Sequence, residues 1–145
     1  EVIHHTQFLQ ELIEQGKIKF TDSNEWKGKS ITYHDSCYLG RANEIYEAPR
    51  KVLESLDMEL KEMKRCKSKG LCCGAGGAQM FKEEEKGDKR INTERAEEAR
   101  ATATDFVASA CPFCNTMLTD GIKNRNEEVN TEVLDIAEMI AKAIQ

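Results

Sequence analysis

Phe106-Val107-Ala108-Ser109-Ala110 runs straight into Cys111-Pro112-Phe113-Cys114, and the reading of this junction decides the fold. A short apolar run without polar alternation suits a strand buried on both faces, the habit of a parallel sheet. Pro112 suits the first turn of a helix, and Met117, Leu118 and Ile122 give that helix one apolar face. A buried strand passing into an amphipathic helix is half of a βαβ unit, so the same alternation should recur along the chain.

It recurs. Ser30-Ile31-Thr32-Tyr33 reads as a short strand that ends just before Cys37. Pro49 fits the first turn of a helix whose apolar face is Val52, Leu53 and Leu56. Residues 58–63 alternate apolar and charged, as in a strand with one side buried, and the loop after them carries Cys66, Cys72 and Cys73. Residues 79–102, rich in Glu, Lys, Arg and Ala, predict one or two solvated helices broken near Gly87. Val133-Leu134 suggests a last strand, followed by a closing helix through Ile136, Ala137, Ile140, Ala141 and Ile144. At the start, Phe8, Leu9, Leu12 and Ile13 lie at helical spacing with Gly16 as a stop signal, predicting a helix over residues 1–16. Residues 21–29 read as a polar connection. The expected fold is α/β: a small parallel sheet of about four strands flanked by helices, with right-handed crossovers.

The 145 residues suffice for one core and not two, so a single domain over 1–145 is expected. The chain begins at Glu1 without a methionine, and it is expected to be the C-terminal piece of a longer protein. Charged residues make up 32% and the net charge is −5, which leaves no basic field for nucleic acid. Apolar stretches are too short for a membrane span or a secretory signal. A cytoplasmic protein is expected, with any approach to the membrane made through partners or other segments.

Five of the six cysteines form one pattern: Cys37, then Cys72-Cys73-Gly74 after 34 intervening residues, then Cys111-x-x-Cys114 after 36 more. Cys37, the adjacent pair and Cys111 each follow a predicted strand, and the carboxyl ends of parallel strands share one edge, where ligands sit. Thiolates gathered there suit a soft metal or an iron–sulfur cluster. Pro112 places Cys111 and Cys114 at a helix N-terminus, which favours thiolate over thiol. Gly74, Gly76 and Gly77 would let backbone amides approach sulfur. Three chemistries stay open on the residues alone. These are a cluster, a structural zinc site that needs only four of the five thiolates, and thiol–disulfide exchange through Cys111-x-x-Cys114. A disulfide framework is disfavoured by the abundance of charged, periodic helices and by the poor geometry of a vicinal pair. A dinucleotide loop is excluded because Gln79 stands where the third glycine would be.

The motifs together resemble the cysteine-rich CCG-domain family, seen in a cysteine-rich subunit of heterodisulfide reductase and in iron–sulfur subunits related to that of glycolate oxidase. The likeness is carried by Tyr33-His34-Asp35-Ser36-Cys37-Tyr38-Leu39-Gly40-Arg41, Ala48-Pro49-Arg50, Cys72-Cys73-Gly74-Ala75-Gly76-Gly77 and Ala110-Cys111-Pro112-Phe113-Cys114. Ser36 stands where that family commonly has proline. The resemblance implies a non-cubane [4Fe-4S] cluster on Cys37, Cys72, Cys73, Cys111 and Cys114. It also implies electron transfer between a ferredoxin-type domain, a second such module of the same parent, and a flavoprotein, quinone or disulfide.

The remaining polar residues carry weaker signals. His34 and Asp35, beside Cys37, are candidates for proton transfer, and the plainer role is to orient the loop by hydrogen bonds. Arg41 would either balance a thiolate-rich centre or pair with a carboxylate. Cys66 falls outside the pattern and reads as a simple thiol. His4 and His5 are adjacent, should point apart on a helix and make a poor metal pair. Residues 82–86 read as a solvated charged face.

Overall fold

The computed structural model of the chain describes residues 2–22, 24–83, 86–123 and 131–144. Four parallel strands form its sheet: β1 (Ser30–Tyr33), β2 (Glu59–Leu60), β3 (Phe106–Ser109) and β4 (Glu132–Asp135), in the order β2-β1-β3-β4. Helix α1 (His5–Glu14) precedes the sheet. Helices α2 (Gly40–Asn43) and α3 (Glu47–Glu54) connect β1 to β2, and α4 (Ile91–Arg100) leads into β3. Helix α5 (Pro112–Lys123) joins β3 to β4, and α6 (Ile136–Ala143) closes the chain. The expected α/β architecture is therefore present.

Alternation along the strands sorts the side chains into two layers. Ile31, Tyr33, Ala108 and Leu134 pack on one face with Val52, Leu53, Ile136 and Ile140, and Leu9 and Ile13 press against them. Val107 points to the other face and meets Met63, Ala96, Ala99, Leu118 and Ile122. Helices α3 and α5 thus lie on opposite faces. Strand order runs one way from β1 to β2 and the other way from β3 to β4, so right-handed crossovers must use opposite faces. The point of reversal falls between β1 and β3, which pair in register from Ile31↔Phe106 to Tyr33↔Ala108.

Tight packing of α4 on α5 depends on Gly121. A Cβ there would lie 2.6 Å from the Asn92 carbonyl oxygen and 3.0 Å from the Ala96 Cβ.

Several local expectations change. The strand expected over 58–63 shrinks to two residues, because β2 is an edge strand paired only at Ser30↔Glu59 and Ile31↔Leu60. Met63, beyond it, is drawn under α4 into the second core layer instead. The helical region expected over 79–102 reduces to a 3-10 turn at Gln79–Phe81 and α4, since residues 82–90 lack an apolar face to bury. Glu84 and Glu85 of the charged run lie outside the described residues, as does Glu1 of the expected first helix.

That helix starts only at His5. His4 is its N-cap, its ring accepting from the Thr6 amide while its own amide donates to Gln7. Because His4 is extended rather than helical, its ring does not point away from His5; the two rings meet with centroids 4.2 Å apart, tilted by 38°. The connection at 21–29 also holds a core residue. Trp26 is buried, and its indole N–H donates to the Met139 carbonyl at 3.0 Å. No helix among the described residues is long and apolar enough to cross a membrane.

Candidate metal centre

The cysteines reach one place by three routes. Cys37 leaves β1 through a turn in which the Leu39 and Gly40 amides donate to the Ser36 carbonyl. Cys111 leaves the adjacent strand β3 and stands immediately before α5, its carbonyl accepting the helical bond from the Asn115 amide. The Cys72-Cys73 pair arrives differently. Eleven residues lie between the end of β2 and Cys72, so the pair is delivered by a long loop and not by the strand end. Since β1 and β3 flank the reversal of strand order, the site occupies the crevice that an open parallel sheet offers to ligands.

Cys73 and Cys114 are buried, and Cys37, Cys72 and Cys111 are half-buried. Ala75 and Met117 pack with the buried pair, with Cys72, Cys111 and Met80 against them. Thiol hydrogen bonds link Cys114 to Cys73, Cys72 to Cys73 and Cys114 to Cys111, and the charge of Cys37 is felt at Cys72. Cys72, Cys73, Cys111 and Cys114 therefore form one packed group, and Cys37 is near enough to act on it through charge. Cys66 stands apart, among Glu62, Arg50, Asp35 and Lys67, with its thiol pushed up chiefly by burial.

Crowding forces the thiols to divide their protons. Hydrogen bonds from Cys114, Cys72, His34 and the Ala75 amide hold Cys73 far below the ordinary thiol range despite its burial. Cys111 is held at about 6, by its bond with Cys114 and by the Cys114 and Phe113 amides of the helix start. The same bonds, with burial, drive Cys72 and Cys114 well above the ordinary range. Thiolates this close cannot all ionise without a cation among them. The donor set therefore fits a thiophilic metal centre, whose charge would release the remaining protons.

Backbone groups meet the sulfurs as well. The Gly74 amide donates to Cys72 Sγ at 3.3 Å. Gly74 has φ +90, and a Cβ on it would come within 3.2 Å of the Ile91 Cβ, so glycine is required there for both conformation and space. Gly76 and Gly77 lie on the exposed rim with open space around them. The hydroxyls of Tyr33 and Ser36 are buried close to one another. Burial raises the Tyr33 phenol strongly, helped by the charge of Asp35.

Two polar groups anchor the loops. Asp35 receives Arg50 through two bonds, of 2.8 and 3.0 Å, and the Lys67 amide at 2.6 Å. Arg50 continues to Glu62 and to the Tyr46 carbonyl. One buried ion cluster thus ties the exit of β1 to α3 and to the loop that carries Cys72 and Cys73. Arg50 is visible in the sequence as part of a motif, but its carboxylate partners are 12 to 15 residues away and no local pattern announces them. Arg41 does not make the carboxylate pair that is one of its two expected roles. Among the described residues its guanidinium donates to the Gly70 carbonyl, at 2.9 Å, and not to a sulfur or a carboxylate.

His34 is buried beside Cys73, and one of its ring nitrogens and the sulfurs of Cys73 and Cys114 all lie within 4.8 Å of one another. Burial lowers its imidazole pKa, partly offset by the bond to Cys73. Arg95, fully buried, donates to His34 Nδ1 at 2.9 Å. Nothing in the sequence around Arg95 distinguishes it from the other charged residues of 79–102.

The family of cysteine-rich CCG domains matches residues 31–119. Among curated proteins, a probable iron-sulfur-binding oxidoreductase FadF of Bacillus subtilis is 43% identical over 99% of this chain and 20% of its own length. An EtfAB:quinone oxidoreductase of Syntrophomonas wolfei is 40% identical over 100% of this chain and 21% of its own. A subunit of a dihydromethanophenazine:CoB–CoM heterodisulfide reductase of Methanosarcina barkeri is 39% identical over 99% of this chain and 34% of its own. The chain thus spans a fifth to a third of the length of these relatives. No solved structure matches. The resemblance carried by the cysteine motifs holds, and the chain belongs to the cysteine-rich CCG-domain family.

Proposed function

We propose that the chain is an iron–sulfur electron-transfer module of an oxidoreductase, with Cys37, Cys72, Cys73, Cys111 and Cys114 holding a non-cubane [4Fe-4S] cluster. The observation that carries this reading is the packing of Cys72, Cys73, Cys111 and Cys114 into one group, where thiolates this close need a cation among them to ionise together. When bound, such a cluster accepts and returns electrons at a potential set by its surroundings. The chain's residues do the rest. The Gly74 and Ala75 amides donate to the Cys72 and Cys73 sulfurs. The start of α5 stabilises the charge on Cys111. Ala75 and Met117 keep water from the buried sulfurs.

The relatives are, by their names, larger redox proteins or subunits of them. We read this chain as the C-terminal module of one, receiving electrons from a ferredoxin-type domain and a second module of the same parent. A flavoprotein, quinone or disulfide would be the exchange partner, at the cytoplasmic face of a membrane if the parent is anchored there. Zinc is the second reading, favoured by the close approach of His34, Cys73 and Cys114; it leaves sulfurs surplus to a four-coordinate ion.

Anaerobic preparation followed by iron, acid-labile sulfide and zinc analysis, with an EPR spectrum, tests the proposal. Iron and sulfide in matched amounts are expected, with both lost in Cys73→Ser and Cys111→Ser. A colourless protein holding stoichiometric zinc would overturn it.

A further inference from the structure

The hydrogen bond between Arg95 and His34 has a chemical consequence for Cys73. A guanidinium has donors and no acceptor, so the Arg95 Nε–H pointing at His34 Nδ1, 2.9 Å away, requires that nitrogen to offer its lone pair. The neutral ring must then carry its proton on Nε2. A ring nitrogen also lies within 4.8 Å of the Cys73 and Cys114 sulfurs; with Nδ1 taken by Arg95, Nε2 is the nitrogen left to meet Cys73, and a protonated nitrogen can only donate to it.

Arg95 is not free to relax from this arrangement. Its Nη1 is committed to the Arg65 carbonyl and to Glu98, both at 2.8 Å, and its side chain is fully buried. Ligation of a metal by His34 Nε2 would move the ring proton to Nδ1 and set two donors head to head in the core. That arrangement forfeits a buried hydrogen bond and leaves both groups unsatisfied.

The bond also outlasts metal loading. The Cys72 and Cys114 protons that now reach Cys73 would leave as those thiols became ligands, whereas the ring N–H of His34 and the amide of Ala75 belong to nitrogen and would remain. Hydrogen bonds to a ligating sulfur withdraw charge and raise the reduction potential of the centre.

We propose that His34 is a positioning residue that donates its Nε2–H to the Cys73 sulfur, in a tautomer set by Arg95, and thereby raises the potential of the bound centre without ligating it. The tautomer rests on the Arg95–His34 hydrogen bond and the approach of the ring to Cys73; its effect on potential rests on the iron–sulfur reading.

Two measurements on the full chain test this. In protein labelled with 15N-histidine and loaded with 113Cd at its thiolates, His34 should show a protonated Nε2, an unprotonated Nδ1 and no coupling to cadmium. A protonated Nδ1, or a 113Cd–15N coupling at His34, would overturn the proposal whatever metal the native protein carries. In protein reconstituted with iron and sulfide, His34→Leu should shift the midpoint potential to more negative values, and His34→Gln, which keeps an N–H near the Nε2 position, should restore most of the shift. An unchanged midpoint in folded, iron-loaded His34→Leu would overturn the effect on potential. If iron is not taken up at all, the functional reading fails, and the cadmium spectrum still decides between donor and ligand.

Discussion

Replacing Arg50 with methionine should unfold this protein far more readily than its position on a short helix suggests. Arg50 is 3% exposed and makes five hydrogen bonds: two to Asp35, two to Glu62 and one to the Tyr46 carbonyl. Methionine keeps much of the stem's packing and removes every one of these bonds. Asp35 is then left as a buried carboxylate that keeps the Lys67 amide but has lost its cation. Breaking a buried ion pair from one side costs about 3–5 kcal/mol, mostly the penalty of the stranded charge. With a urea slope of about 2 kcal/mol/M for a chain of this size, the midpoint should fall by roughly 2 M.

The assay is equilibrium urea unfolding of the chelated protein, followed by circular dichroism and tryptophan fluorescence from the buried Trp26. Asp35→Asn added to Arg50→Met removes the stranded charge, so the double variant should recover about 1–3 kcal/mol relative to the single one. Because the same cluster holds the loop of Cys72 and Cys73 against the exit of β1, Arg50→Met should also weaken metal retention. A midpoint loss equivalent to less than about 1 kcal/mol, or a double variant as unstable as the summed singles, would refute the reasoning.

Gly121→Ala should cost about 1–3 kcal/mol by overpacking, since its Cβ would meet the Asn92 carbonyl oxygen at 2.6 Å and α4 and α5 would have to part; thermal unfolding measures this. Gly74→Ala should cost about 1–3 kcal/mol through strain at φ +90 and reduce metal retention, while Gly76→Ala, with open space around it, should do neither; parallel melting and metal analyses of the two variants separate them. In the chelated protein Cys111 should be alkylated with a midpoint near pH 6. Its folded pKa lies below the ordinary thiol value, so the reactive thiolate persists down to that pH and is lost beneath it. Mass-spectrometric mapping of iodoacetamide labelling should show Cys66, whose pKa is raised, lagging until alkaline pH. A Cys111 midpoint at about pH 8 or above, near that of a free thiol, would contradict the assigned hydrogen bonds.

The elements legible in the sequence are those whose reason is local. Ser30–Tyr33 and Phe106–Ser109 are readable as strands because short apolar runs bounded by turn residues have few other uses. The α5 start is readable from Pro112, and α6 from its apolar spacing. Elements held by distant partners are not. Glu59–Leu60 is a two-residue strand because only β1 is there to pair with it. Trp26 looks like a surface residue until Met139, more than a hundred residues on, accepts its indole N–H.

The candidate site divides in the same way. Spacing and residue type alone bring Cys37, Cys72, Cys73, Cys111 and Cys114 into one metal-binding hypothesis, because soft donors in a repeated pattern have a narrow chemistry. That Cys37 and Cys111 leave neighbouring strands, β1 and β3, where strand order reverses, needs the sheet. The tertiary structure alone decides which of the surrounding polar groups serve the sulfurs. Asp35 is an anchor for Arg50, Arg41 a clamp on the Gly70 carbonyl, and Arg95 the group that orients His34. A cysteine advertises its chemistry wherever it stands, whereas the role of an arginine or histidine depends on its acceptor, and acceptors 29 or 61 residues away are chosen by folding.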